Sequence, residues 1–402
     1  PVGGPAQPGE TQRMAPKSPA TGKQSTPQRP RLRVNPAPGQ TITIGRDPGS
    51  TIVLNDPLVS RQHAMVTRQG SNFLVRNHRS RNGTQINGHD IEEAELTEGD
   101  RLTIGRTSLV NHHGVLVELE EQDTALVAHG ISFQLKEGKA AGKVLLDRAS
   151  FEIPGGSLVA VVGPSGAGKS TLLRALTGTQ PATSGGVTYA GHDLYANFEQ
   201  LRTRIGVVPQ DDVVHRDLTV RQSLTYAAEL RLPSDYDKAA RDREVQEVID
   251  DLELGPHQDT LVKRLSGGQR KRTSVAMELI TQPTLLLLDE PTSGLDPSLD
   301  RDVMQLLREQ ATGDRSVLVI THSVANLDDC DYVMVLAPGG KLVYYGPPHE
   351  VSQRFGTDDY ADIFKYIKAE PDRWQAMEFH AQRQRGLSQP RPQRQGPPPQ
   401  LP

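Results

Sequence analysis

No part of this 402-residue chain leaves fewer folding options than the stretch around Gly163. An apolar run at residues 157–162 leads directly into Gly163-Pro164-Ser165-Gly166-Ala167-Gly168-Lys169-Ser170-Thr171, and a helical run at 172–176 follows. Glycines at this density let the backbone curl so that successive N–H groups point inward, and the following helix adds its positive end, which makes an anion cradle. A buried strand feeding such a loop and then a helix is the strand–loop–helix context of a P-loop. The spacing predicts a parallel sheet covered on both faces, with strands alternating with helices from residue 124 to about 350. Lys169 is placed to hold the β- and γ-phosphates of ATP, and the Ser170 hydroxyl to ligate Mg²⁺.

Two further stretches complete the pattern. Thr284-Leu285-Leu286-Leu287-Leu288-Asp289-Glu290 is an apolar strand ending in two carboxylates. It brings Asp289 to the sheet end as the Mg²⁺ partner and Glu290 as general base for an attacking water. Leu265-Ser266-Gly267-Gly268-Gln269 precedes the basic helix start Arg270-Lys271-Arg272 and makes a second anion site at a helix N-terminus. One P-loop needs no second cradle. Here the sequence resembles the ATP-binding-cassette (ABC) ATPases, in which the signature of one subunit covers the γ-phosphate held by the P-loop of the other. The resemblance implies a head-to-tail dimer with a second copy of the chain. It also implies that Ser266, Gly267, Gly268 and Gln269 contact nucleotide. Gln210 then matches the loop glutamine that senses Mg²⁺ and water, Asp296 the D-loop, and His322 the switch histidine at the γ-phosphate. Phe133 is the aromatic candidate for stacking on adenine, and a core position accounts for it equally well. Gln210-Asp211-Asp212, Arg270-Lys271-Arg272-Thr273-Ser274 and Val343-Tyr344-Tyr345-Gly346-Pro347 look like the G-type (White-family) half-transporters, whose ATPase is followed by a membrane domain on the same chain.

Upstream, residues 31–120 change to short alternating runs separated by Gly, Asn, Asp and Pro, the pattern of an all-β sandwich. Gly45-Arg46, Ser60-Arg61-Gln62-His63, Arg81-Asn82-Gly83-Thr84 and Asn87-Gly88 resemble the forkhead-associated (FHA) domain, a phosphothreonine reader. The resemblance implies that Arg46, Ser60, Arg61 and Arg81 meet the phosphate side of a phosphothreonine peptide or protein and that Asn82 holds its backbone. His63 reads as a scaffold residue. The order of the two domains is similar to the FHA-bearing ABC exporters of mycobacteria and related actinobacteria, and suggests control by a Ser/Thr kinase.

Composition bounds the rest. The net charge of −4 offers no basic field for nucleic acid. Cys330 is the single cysteine, so no disulfide forms within the chain, which suits the cytoplasmic face of a membrane. No run approaches the roughly 20 apolar residues of a spanning helix. Pro/Ser/Thr-rich residues 1–30, with Thr11, Thr21 and Thr26, read as a disordered linker. Residues 351–380 read as amphipathic connecting helices and 381–402 as a disordered tail. The expected function is the ATPase part of an exporter. A soluble ABC ATPase and a phospho-dependent signalling adaptor are the alternatives.

Overall fold

The computed structural model describes residues 32–78, 80–119, 126–135, 141–211, 213–311, 313 and 315–384. The linker expected at 1–30, with its threonines, and the end of the expected tail lie outside these residues. Between Arg33 and Glu118 the chain forms two β-sheets, one of six strands and one of five. Their inward residues follow the period-2 alternation: Ile42 and Ile44, Val66, Phe73 and Val75, Leu102 and Ile104 are buried in one core. This is the sandwich expected from the alternating runs.

From Leu126 onward the strands form a second body, a ten-stranded sheet. Its parallel centre places Ile205–Val208, Leu285–Asp289, Ser316–Ile320, Leu158–Val162 and Tyr332–Ala337 side by side in that order, with Val161 opposite Ile320 and Asp289 also opposite Ile320. Leu158–Val162 is buried throughout, as a strand covered on both faces must be. Its residues divide by parity. Leu158, Ala160 and Val162 join one core, whereas Val159 and Val161 join another with Leu172, Leu173 and Leu176.

The helices are α1 (Lys169–Leu176), α2 (Phe198–Leu201), α3 (Val220–Arg231), α4 (Lys238–Asp251), α5 (Gly267–Leu279), α6 (Pro297–Gln310), α7 (Val351–Phe355), α8 (Tyr360–Ala369) and α9 (Pro371–Gln384). α3, α4 and α5 pack on one another as a helical layer. α8 buries Ile363 and Ile367 in the core beneath it, so the partner its apolar stripe needs is the ATPase body itself. One boundary moves: the tail expected from residue 381 begins no earlier than the end of α9, at Gln384.

Candidate functional site

Loop 163–171 is built where Leu158–Val162 ends. Gly163 sits at φ 155°, and a Cβ there would lie 2.3 Å from the Leu336 carbonyl oxygen; Gly168, at φ 95°, would meet the Leu145 carbonyl oxygen at the same distance. Both positions therefore demand glycine. Gly168 precedes α1 without a side-chain cap, which leaves the first helical N–H groups facing the loop. The Lys169 ammonium is buried and donates to the carbonyls of Gly163 (2.8 Å) and Pro164 (3.3 Å). Burial holds its pKa below the usual lysine range, and the charges of Glu290 and Asp289 pull it back up.

Opposite the loop, burial pushes the Asp289 carboxyl above the usual carboxylate range, and the neighbouring Glu290 charge adds to it. A hydrogen bond from Ser170 and the charge of Lys169 oppose the rise. His322 Nε2 lies 2.6 Å from Glu290 Oε1. The structure thus brings Lys169, Ser170, Asp289, Glu290 and His322 into one network. Gln210 is exposed; its main-chain carbonyl accepts from Lys271 Nζ at 3.0 Å, as the Pro209 carbonyl does at 3.2 Å. Lys271 thus anchors the main chain at Gln210, although the sequence presents it only as one member of a basic run. Its burial could not be read without knowing that α5 packs against the strand leading to Gln210.

Ser266, Gly267, Gly268 and Gln269 form a second cluster. Ser266 caps α5: its hydroxyl accepts from the Gln269 N–H at 3.2 Å and its own N–H donates to Gln269 Oε1 at 2.9 Å, a reciprocal capping box. Gln269 also meets His257 Nε2 at 2.9 Å. A Cβ on Gly267 would strike Leu295 at 2.7 Å, so the signature turn packs on the D-loop. Asp296 caps α6, accepting from Ser298 and Leu299 N–H groups at 3.0 and 3.1 Å. Pro297 suits the first helical position that follows. Phe133 is only 7% exposed and packs in the core opposite Leu146, and it also lines an open cleft with Leu135, Gln180 and Pro181, so the structure accommodates both of its expected roles.

In the sandwich, His63 is fully buried and ties two loops together, accepting at Nδ1 from the Ser60 N–H (3.1 Å) and meeting the Gly83 carbonyl at 2.9 Å, the scaffold role expected for it. Asn82 donates to the Leu58 carbonyl at 2.9 Å. Arg46, Ser60, Arg61 and Arg81 gather at one end, and that end faces the ATPase body. The Arg46 guanidinium lies 3.5 Å from the Asp235 carboxylate and 3.5 Å above the Tyr236 ring centroid. The Arg61 N–H donates to the same carboxylate. Arg81 donates to the carbonyls of Leu230, at 2.8 Å, and Leu232.

Comparison with known proteins fits both halves. Residues 146–293 match the ABC transporter family and residues 42–105 the FHA domain. An ABC transporter ATP-binding/permease protein of Mycobacterium tuberculosis is 48% identical over 345 residues, covering 86% of this chain and 40% of that protein. ABC transporter G family member 28 of Arabidopsis thaliana is 38% identical over 228 residues, 54% of this chain and 20% of its own length. The chain thus spans less than half of these relatives. Among solved structures, cbiO1 of Clostridium perfringens, part of an ABC transporter complex, superposes with a TM-score of 0.51 at 26% identity, covering 64% of this chain and 99% of that one. A dimeric ATP-binding cassette bound to ADP and Pi shares the fold at 24% identity and a TM-score of 0.50, covering 55% of this chain and 98% of that one. Among the described residues, no helix is long and apolar enough to cross a membrane. The chain thus carries an FHA domain over residues 42–105 and, over residues 146–293, an ATP-binding domain of the ABC transporter type.

Proposed function

We propose that this chain is the ATP-hydrolysing part of an ABC exporter, working at the cytoplasmic face of a membrane as a head-to-tail dimer and regulated by phosphothreonine at its FHA domain. The observation that carries the reading is the 2.6 Å contact between Glu290 and His322, set beside a buried Lys169 and the Ser170–Asp289 pair. The loop N–H groups and Lys169 bind and orient the triphosphate. Glu290 accepts the proton of the attacking water, and His322 Nε2 fixes the direction of that carboxylate. The crowding of the Asp289 and Glu290 charges in a half-buried site fits a divalent cation better than two bare carboxylates. Ser170, Asp289 and Gln210 would hold Mg²⁺, which when bound neutralises phosphate charge. The signature cluster of one copy closes over the nucleotide of the other, and a membrane domain on the same chain converts closure and reopening into export.

The FHA half reads a phosphothreonine on Thr11, Thr21 or Thr26, or on a partner of a Ser/Thr kinase. Replacing Glu290 with Gln should lower Mg²⁺-dependent ATP turnover about 10²- to 10⁴-fold with the fold intact. Undiminished turnover would remove the general base from this scheme. Replacing Arg46 with Ala should weaken phosphothreonine-peptide binding roughly 10- to 150-fold, the worth of one charge-assisted contact. Equal binding would rule out the phosphate role of Arg46.

A further inference from the structure

The FHA recognition end is not open to solvent on all sides. Residues 232–237 join α3 to α4, and they run across this end with Asp235 pointing into the residue set expected to receive phosphate. A phosphate is held by a guanidinium, a main-chain N–H and neighbouring donors, and the Asp235 carboxylate takes the first two: Arg46 at 3.5 Å and the Arg61 N–H. Arg81 grips the main chain of the same segment through the Leu230 and Leu232 carbonyls. The Tyr236 ring lies beneath the Arg46 guanidinium, 3.5 Å from its carbon to the ring centroid. Asp235 is only 24% exposed, and Arg46 16%. Beside them, Asp47, Ser60, Gln62, His78 and Ser234 line a cleft of about 710 Å³.

We propose that the 232–237 segment of the ATPase domain is an internal ligand of the FHA domain, with Asp235 as a phosphate surrogate that a phosphothreonine peptide displaces. The inference rests on the phosphothreonine reading given above and adds the competing occupant. A carboxylate brings one charge and two oxygens, whereas phosphothreonine brings close to two charges and three oxygens, so the internal ligand is the weaker binder per contact. Tethering compensates, because a segment on the same chain acts at a high effective concentration.

The docking also links moving parts. Arg204, in the turn before Ile205–Val208, donates to the Gly105 carbonyl at 2.8 Å, and Arg106 donates to the Gln282 carbonyl at 3.1 Å. The FHA end therefore holds the α3–α4 connection, the segment after α5 and the sheet edge that leads to Gln210 in one arrangement. α3 and α4 pack on α5, which carries Ser266 at its start. Displacing residues 232–237 frees the helical layer that presents the signature.

The test uses the whole chain and a pool of phosphothreonine peptides with randomised flanks, with the unphosphorylated pool as blank. Asp235→Ala and Asp235→Asn, which removes the charge and keeps the shape, should each bind the phosphorylated pool at least threefold more tightly than the parent, and Arg46→Ala should lose binding. In the parent, saturating peptide should raise hydrogen–deuterium exchange across residues 232–240 toward the level of the Asp235 variants. Binding that is equal in the parent and both Asp235 variants, yet lost in Arg46→Ala, overturns the internal ligand and leaves the phosphothreonine reading standing. Unchanged exchange on saturation does the same. No binding in any of the four proteins overturns the phosphothreonine reading, and this inference with it.

Discussion

Glu290 meets two demands that pull in different directions. Its carboxylate must face His322, and its backbone must turn the chain out of the strand at φ 47°, in the left-handed region. The turn is fixed by hydrogen bonds on both sides of the residue. The Glu290 N–H donates to the Ile320 carbonyl at 2.8 Å, and the Ser293 N–H donates to the Glu290 carbonyl at 3.1 Å. A residue with a Cβ pays about 1–2 kcal/mol to sit in this region, and such strain gathers at functional positions. Comparison of two variants isolates that cost, since both lose the carboxylate and only one keeps a Cβ. Glu290→Gly should resist urea better than Glu290→Ala, by about 1 kcal/mol. If the alanine variant proves the more stable, the position is not strained.

At the scale of elements, the start of α5 carries a double load. Ser266 is expected to cover a phosphate of the partner copy, but its hydroxyl already accepts from the Gln269 N–H and closes the capping box. The two roles respond differently to substitution. Ser266→Ala removes the cap and should cost about 1 kcal/mol in urea unfolding. Ser266→Asp keeps a good cap and adds a charge that repels triphosphate, so stability should stay within about 0.5 kcal/mol of the parent while ATP turnover falls as in the alanine variant. Full turnover in Ser266→Asp would leave Ser266 a helix cap and nothing more.

The helix start at Ser266 was legible in the sequence, as were the strand–loop–helix at Gly163 and the strand running into Asp289, because each is written in consecutive residues. Phe133 was not, because its burial depends on pairing with the strand that carries Leu146. The connecting helices were expected to end at residue 380, and the inward face of α9 and its end at Gln384 were not legible, for a different reason. Pro371 ends one helical pattern but occupies the first turn of the next, and α9 turns Gln375, Glu378 and Gln382 inward rather than an apolar stripe. Gln375 donates to the Asp147 carbonyl and Gln382 to the Ser150 carbonyl, each at 2.8 Å. A helix anchored by amides has no hydrophobic period to read.

At the scale of the whole molecule, the contact between the two domains is written in side chains far apart in sequence, and no motif announces it. His192 shows how finely the two sides combine. It lines a cavity between the domains with Leu58, Asn82, Gly105, Leu201 and Arg204. Burial pushes its pKa down to about 4, helped by Arg101 from the sandwich and Arg204 from the ATPase body. An unfolded imidazole takes a proton near pH 6.5, whereas the folded one refuses it until about pH 4. Between these values the unfolded chain binds more protons, so stability falls as the pH drops through the window. Protonation there sets a third positive charge beside two arginines, at the seam that keeps the FHA end on the ATPase body. His192→Gln cannot take that proton. Its melting temperature should therefore gain on the parent's as pH falls from about 6.5 to 4, with a constant difference above pH 7.5; parallel profiles across the whole range would show that His192 does not set the acid sensitivity of the seam.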